Sequence, residues 1–203
     1  MDITKPKVQL VNYFTAPIET MAVAAKTCYS SKGLVEIEEI KSSNKKYESA
    51  LKILKSIFQA GHHTVIQHIH FQFAIDNISR QFVWSFLHSH PFYNSEQVSQ
   101  RYVEVRRENV FIPPLKDNLC EIYIECINFQ MDTYYKLIEM LYNVTESEYY
   151  KRFPQRKKYD KYKKDIKRKA QEIARYVLPL GTLTYLYHTI SAITLIRYYK
   201  MIN

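Results

Sequence analysis

Only three of the 203 residues are glycine: Gly33, Gly61 and Gly181. Glycine is the residue that lets backbone approach a phosphate closely and adopt a positive φ without steric cost. A chain so poor in glycine cannot build a Gly-rich phosphate loop, and neither G-x-G-x-x-G nor a P-loop occurs in it. Any nucleotide must therefore be held by side chains and helix ends. The remaining composition, 46% hydrophobic and 24% charged, is that of an ordinary globular chain. The length suits one domain spanning residues 1–203. No apolar run approaches the ~18–20 residues of a membrane span. No apolar stretch follows a basic start, so neither spanning nor secretion is expected. Cys28, Cys120 and Cys126 are odd in number and form no Cys-x-x-Cys pair. That pattern argues against a disulfide framework or a zinc ribbon and fits a reducing cytoplasm.

The formal charge of +9 is localised. Lys151 to Lys169 holds eleven Lys or Arg and two Asp, and the rest of the chain is neutral. The expectation is an exposed, lysine-decorated helix or helix-flanking loop rather than an element that reads nucleic-acid sequence.

Periodicity organises the chain. Lys7 to Phe14 reads as a strand, and Ile18 to Cys28 as a helix entered at Pro17. Lys45 to Ala60 is a second helix, with Gly61 as its C-cap. Gln67 to Asp76 alternates as a half-buried strand, and Ser79 caps a helix reaching His88. Asn94 to Gln100 reads as an irregular polar loop, and Tyr102 to Ile112 as a further strand before Pro113-Pro114. Three helices follow: Asn118 to Tyr142, Asp165 to Leu178, and Thr182 to Met201. The fold class is α+β: a small, mainly antiparallel sheet packed with several helices.

Six of the seven histidines lie between His62 and His90, but their spacing matches no zinc pattern, and no metal is expected. More informative is His88 to Tyr102, HSHPFYNSEQVSQRY. Histidines, hydroxyls, amides and Arg101 are too polar there to serve as core. They suit phosphates and heteroaromatic rings, Arg101 as a planar donor fork and Ser99 and Gln100 as hydrogen-bonding partners. Arg175 sits beside the apolar Ile173, Val177 and Leu178. It reads either as a second cation at one anionic site with Arg101, or as the partner of Glu96 or Glu172.

Four blocks resemble the flavin-dependent thymidylate synthase family, in the family's order. They are Val8 to Ser31; Gly61, His62, Thr64 and Gln67-His68, continuing to Ser79-Arg80; Ser99-Gln100-Arg101-Tyr102; and Ala174 to Thr182. The family's Arg-His-Arg signature precedes its serine by seven residues. Counting back from Ser99 places it on Ser89-His90-Pro91, and counting forward from Arg80 on His88-Ser89-His90. Neither register holds an arginine. The family's Asn-Ala-Arg triplet reads Ser191-Ala192-Ile193, and the position of a further family arginine falls near Ile202. The chain thus resembles a divergent, C-terminally short member.

The resemblance implies an FAD-dependent enzyme that methylates dUMP to dTMP, with methylenetetrahydrofolate supplying the carbon and NADPH the electrons. It implies a homotetramer with sites shared between subunits. Ser99 and Arg101 would be catalytic. Gln97, Ser99, Gln100, Arg101 and Arg175 would bind dUMP, and Thr64, His88, Ser89 and His90 would face the flavin. The alternative from another class is a non-catalytic relative that binds nucleotide or flavin, or a structural subunit beside a complete homologue.

Overall fold

The computed structural model describes residues 5–89, 93–116 and 118–202. The chain divides into two compact units. The first comprises residues up to 7, 76–86 and 97–186; the second comprises 8–75, 87–96 and 187 onward. Four strands form one antiparallel sheet in the order β1-β2-β4-β3. They are β1 (Lys7–Tyr13), β2 (His70–Ser79), β3 (Asn94–Gln97) and β4 (Leu183–Ser191). The expected α+β class, a small antiparallel sheet with several helices, is the observed one.

The second unit is built on α1 (Pro17–Thr27), α2 (Ile37–Lys41), α3 (Asn44–Gln59) and α7 (Ala192–Ile202). Ser43 caps α3 by accepting the Lys46 N–H at 3.3 Å. Gly61 (φ 79°) turns the chain out of α3 into a 3₁₀ turn over His63–His68. Val65 and Ile66 of that turn pack with Ala25 and Ile193, so α1, α3 and α7 share one apolar seam. Ala22, Ile40 and Ala50 form a second cluster, in which small residues let α1, α2 and α3 approach closely.

The first unit centres on α5 (Asn118–Arg152), against which α6 (Lys163–Ala174) packs. Ile127, Met131, Tyr134 and Ile138 of α5 bury together with Val105, Val110 and Ala174. The helix α4 (Arg80–Ser89) follows β2 directly. As expected, Ser79 caps it, accepting the Phe82 N–H at 3.1 Å.

Three expectations are corrected. Tyr102 to Ile112 forms no strand; it is irregular apart from one bridge between Val110 and Thr182. Its backbone is satisfied by side chains of α5 instead. Val105 N–H donates to the Tyr134 hydroxyl, and Val105 C=O accepts from the Tyr135 hydroxyl at 3.1 Å. Asn94–Gln97, expected to be a loop, is a strand, and its polarity suits its place at the sheet's edge. Thr182 to Met201, expected to be one helix, divides into β4 and α7. Thr184, Leu186, His188 and Ile190 are buried while Tyr185 and Tyr187 are exposed, a period of two within a run apolar enough to suggest a helix.

The basic segment comprises the end of α5, 3₁₀ turns at Pro154–Arg156 and Asp160–Tyr162, and α6. Its lysines are exposed. The Arg156 guanidinium lies 4.3 Å from the Phe153 ring centre and 4.9 Å from that of Tyr162.

Gly181 sits at a close approach in the first unit. A Cβ there would lie 2.7 Å from the Tyr123 hydroxyl and 3.1 Å from the Phe111 carbonyl, the two groups hydrogen-bonded to each other at 2.9 Å. Gly181→Ala must break or displace that bond. It should cost about 1–3 kcal/mol of unfolding free energy by overpacking. Chemical denaturation checks this, and the cost should shrink in a Tyr123→Phe background.

Candidate functional site

The site in the first unit begins where β2 ends. Asn77 takes a left-handed backbone (φ 55°), its N–H bonded to Asp76 Oδ1 and its side-chain amide to the Lys5 carbonyl. Three residues later Arg80 opens α4. Its Nη1 donates to Gln97 Oε1 and its Nη2 to the Val98 carbonyl, each at 2.6 Å. Burial, and then the positive charge of Arg175, push its pKa down. A cavity of about 340 Å³ opens beside it, lined among others by Asn77, Arg80, Ser99, Gln100, Arg106 and Thr184. That volume falls in the range of small-molecule sites, ~300–1,000 Å³.

Arg101 and Arg175, the two cations expected at one anionic site, meet at Glu172. Arg101 Nε lies 2.9 Å from Glu172 Oε1, and Arg175 Nε donates to the Glu172 carbonyl at 3.1 Å. Lys169 reaches the second carboxylate oxygen at 3.1 Å. The Lys169 hydrogen bond, aided by the charges of Arg101 and Arg175, holds the Glu172 carboxyl below its ordinary pKa. Ser99 Oγ accepts the Arg101 N–H at 3.2 Å and so fixes the turn between them. Gln97, Ser99 and Gln100 are thus gathered at Arg80 or the cavity, while Arg101 pairs with the Glu172 carboxylate and Arg175 with the backbone carbonyl of the same residue.

The second unit holds a separate cavity of about 320 Å³. Gln67, His70, Tyr93, Asn94, Ser191 and Arg197 are among the residues that line it. Thr64 is exposed in the 3₁₀ turn, and His88 and Ser89 are exposed at the end of α4. His90 lies outside the described residues. Among the described residues no group of three or more His, Cys, Asp or Glu could hold a metal ion.

Sequence reasoning missed His188. It is 1% exposed on β4. Its Nδ1 pairs with Ser95 Oγ at 2.5 Å, and its Nε2 lies 3.4 Å from the Tyr198 hydroxyl. The Tyr198 ring stacks on it at 6.1 Å and the Tyr93 ring lies 5.6 Å away. The misread helix over 182–201 hid it, since only a period of two places position 188 on the buried face. Thr184 was hidden in the same way. Arg80 was visible within the Ser79-Arg80 pair, but its role depends on a partner 17 residues away.

Known proteins give the family. The model of the thymidylate synthase complementing protein family matches residues 9–203. The chain belongs to that family. A flavin-dependent thymidylate synthase of Clostridium tetani is 32% identical over 197 residues, 96% of this chain and 73% of that protein. The enzyme of the same name from Geobacter sulfurreducens is 33% identical over 100 residues, 49% of this chain and 41% of its own. Among solved structures, the UMP/dUMP methylase PolB from Streptomyces cacaoi, bound with 5-Br dUMP, shares the fold. Its TM-score is 0.57 at 16% identity, over 93% of this chain and 74% of that one. No helix among this family member's described residues is long and apolar enough to cross a membrane.

Burial pushes the pKa of His188 down to about 4, so the folded protein holds it neutral near neutral pH. An unfolded histidine titrates near ~6.5. Between these values the unfolded state binds more protons, so stability is full above ~6.5 and is lost as pH falls toward 4. The loss from this residue should be on the order of 3 kcal/mol, at ~1.4 kcal/mol per pKa unit. Urea titrations across that window should show a shallower decline for His188→Gln than for wild type.

Proposed function

We propose that this chain is an FAD-dependent thymidylate synthase that reductively methylates dUMP to dTMP. Methylenetetrahydrofolate would supply the carbon and NADPH the two electrons that take it to a methyl group. The observation that carries this is the cavity of the first unit, where Ser99 and Gln100 lie beside an arginine whose recorded partners are neutral. The names of the similar proteins, flavin-dependent thymidylate synthase and UMP/dUMP methylase, point to the anionic pyrimidine class that such a cavity would take.

In this reading Ser99 and Gln100 hydrogen-bond the nucleotide, and Gln97, held by Arg80, keeps their segment in place. Arg101 and Arg175 supply the cations required where negative charge sits or develops. Arg101 must then exchange Glu172 for a nucleotide oxygen. Its side chain is 47% exposed, and a pair so open to solvent contributes only ~0–1 kcal/mol, so the exchange costs little. Ser99 and Arg101 are the residues proposed to touch the reacting base.

The donor set of the second unit fits a flavin. Gln67 and Asn94 offer amides, Ser191 a hydroxyl, Arg197 a cation, and His70 and Tyr93 flat rings. These residues would hold part of the cofactor, with Thr64, His88, Ser89 and His90 as further contacts. FAD, when bound, supplies the hydride chemistry. We further propose one functional domain over residues 1–203, a cytoplasmic location and a homo-oligomer, a tetramer by the family resemblance. The oligomer is supported by apolar side chains left open on α5: Phe129 at 73% and Val144 at 60% exposed, with Leu119, Ile122 and Met140.

One observation favours a second reading, a non-catalytic nucleotide or flavin binder. Neither register of the signature supplies an arginine, and Arg101 is committed to Glu172. One experiment separates the two. Protein reconstituted with FAD should show the visible absorbance of oxidised flavin and bind dUMP by calorimetry. Arg101→Ala and Arg175→Ala should each weaken dUMP about 10- to 100-fold, the loss of a charge-assisted contact of ~1.5–3 kcal/mol. Formation of dTMP with NADPH and methylenetetrahydrofolate supports the enzyme. Binding of dUMP or of FAD without turnover supports the second reading, and binding of neither overturns both.

A further inference from the structure

Among the described residues, two buried side-chain polar atoms without a hydrogen-bond partner belong to residues lining the same cavity. They are Arg80 Nε and Thr184 Oγ1. Thr184 is 3% exposed on β4. Two positions earlier, just ahead of β4, Thr182 is 1% exposed, and its hydroxyl donates to the Pro179 carbonyl at 2.6 Å. Thr184 has no such acceptor. A valine would fill the same space without a hydroxyl that burial leaves unsatisfied.

The strand register brings Arg80 into the neighbourhood of Thr184. On one side of this segment the Arg80 N–H donates to the Thr182 carbonyl at 2.9 Å; on the other, the Val98 N–H donates to the Tyr185 carbonyl at 3.2 Å. The Arg80 side chain starts on the first side and bonds Gln97 and Val98 on the second. It therefore spans the stretch between Thr182 and Tyr185, which holds Leu183 and Thr184, both lining the cavity. Each terminal nitrogen makes one bond in this crossing, while Nε–H makes none and is open to a ligand. Both acceptors of its terminal nitrogens are neutral and the nearby Arg175 adds a like charge, although Asp76 and Glu104 also line the cavity.

We propose that Arg80 Nε–H and Thr184 Oγ1–H together receive one acceptor oxygen of the bound nucleotide, and so form a contact pair on the floor of the cavity. This rests on the nucleotide-binding function proposed above. The ligand atom must be an acceptor, a uracil carbonyl or a phosphate oxygen, because an amino group there would meet the Nε–H donor head-on. Arg80 thereby has two parts: its terminal nitrogens position the 97–98 segment, and its Nε touches substrate.

Calorimetric titration of the FAD-loaded full chain tests this with dUMP and with deoxyuridine, which lacks the phosphate. Thr184→Val keeps the shape and removes the hydroxyl; it should weaken dUMP about 5- to 30-fold, while Thr184→Ser stays within about twofold of wild type. Without nucleotide, Thr184→Val should melt at or above the wild-type temperature, because no internal bond is lost. A penalty that persists with deoxyuridine assigns the oxygen to the base, and one that vanishes assigns it to the phosphate. If wild type binds dUMP, Ser99→Ala weakens it and Thr184→Val does not, the contact pair is wrong and the functional reading stands. A lowered melting temperature of Thr184→Val that serine restores also overturns the pair, since the hydroxyl then has a structural partner. Wild-type protein that binds no dUMP overturns the functional reading and the pair together.

Discussion

The first unit depends on one side chain that spans its sheet segment. Arg80 leaves the start of α4, crosses β4 and grips the chain at Gln97 and Val98. A guanidinium suits this because its donors are rigidly forked and its charge does not titrate away. With neutral acceptors, the bonds hold the segment without cancelling the charge. The polar residues that follow, Ser99 and Gln100, are thereby placed along the cavity wall. Fold and site are here the same interaction, since the group that ties the segment down also lines the cavity.

The irregular stretch after that segment has its own support. From 102 to 112 the backbone has no strand partner beyond the Val110–Thr182 bridge, yet little of it is left to chance. Tyr123, Tyr134 and Tyr135 of α5 each place a hydroxyl on it, and Arg107 reaches back to Asn128 and Asp132. Long aromatic side chains can pack apolar area and still satisfy backbone at their tips. A single 35-residue helix thus holds one wall of the cavity rigid without a neighbouring strand.

Charge in this unit is arranged more finely than the net value suggests. Much of the excess lies in a solvated corner, where lysines and Arg156 stand against exposed aromatic rings. Closer to the cavity, Glu172 gathers Lys169, Arg101 and the Arg175 backbone contact. Glu172 thus holds both arginines, Arg101 through its carboxylate and Arg175 through its backbone carbonyl. The second unit follows the opposite logic. His188 is kept neutral in a small aromatic cage, bonded through both ring nitrogens.

The sequence by itself determined the class of fold, α5 as far as Tyr142, α3 with Gly61 at its end, α4 with its Ser79 cap, and the polar run at 94–101 as the place to look. Those features are local: periodicity, a capping serine, a terminating glycine and the cost of burying polar groups act within a few residues. It also carried the family, because four separated blocks agree in order. Only the tertiary structure decided that 182–201 is a strand and then a helix, that 94–97 is a sheet edge, and that 102–112 is not a strand. Each of these depends on what lies alongside. β4 is stabilised by neighbours distant in the chain, and the 102–112 backbone finds its hydrogen bonds on α5. The same reason hid Thr184 and His188, whose burial follows from strand pairing. It also left open whether Arg101 would face an empty anion site or Glu172, because a helix periodicity cannot say which carboxylate its far neighbour will meet.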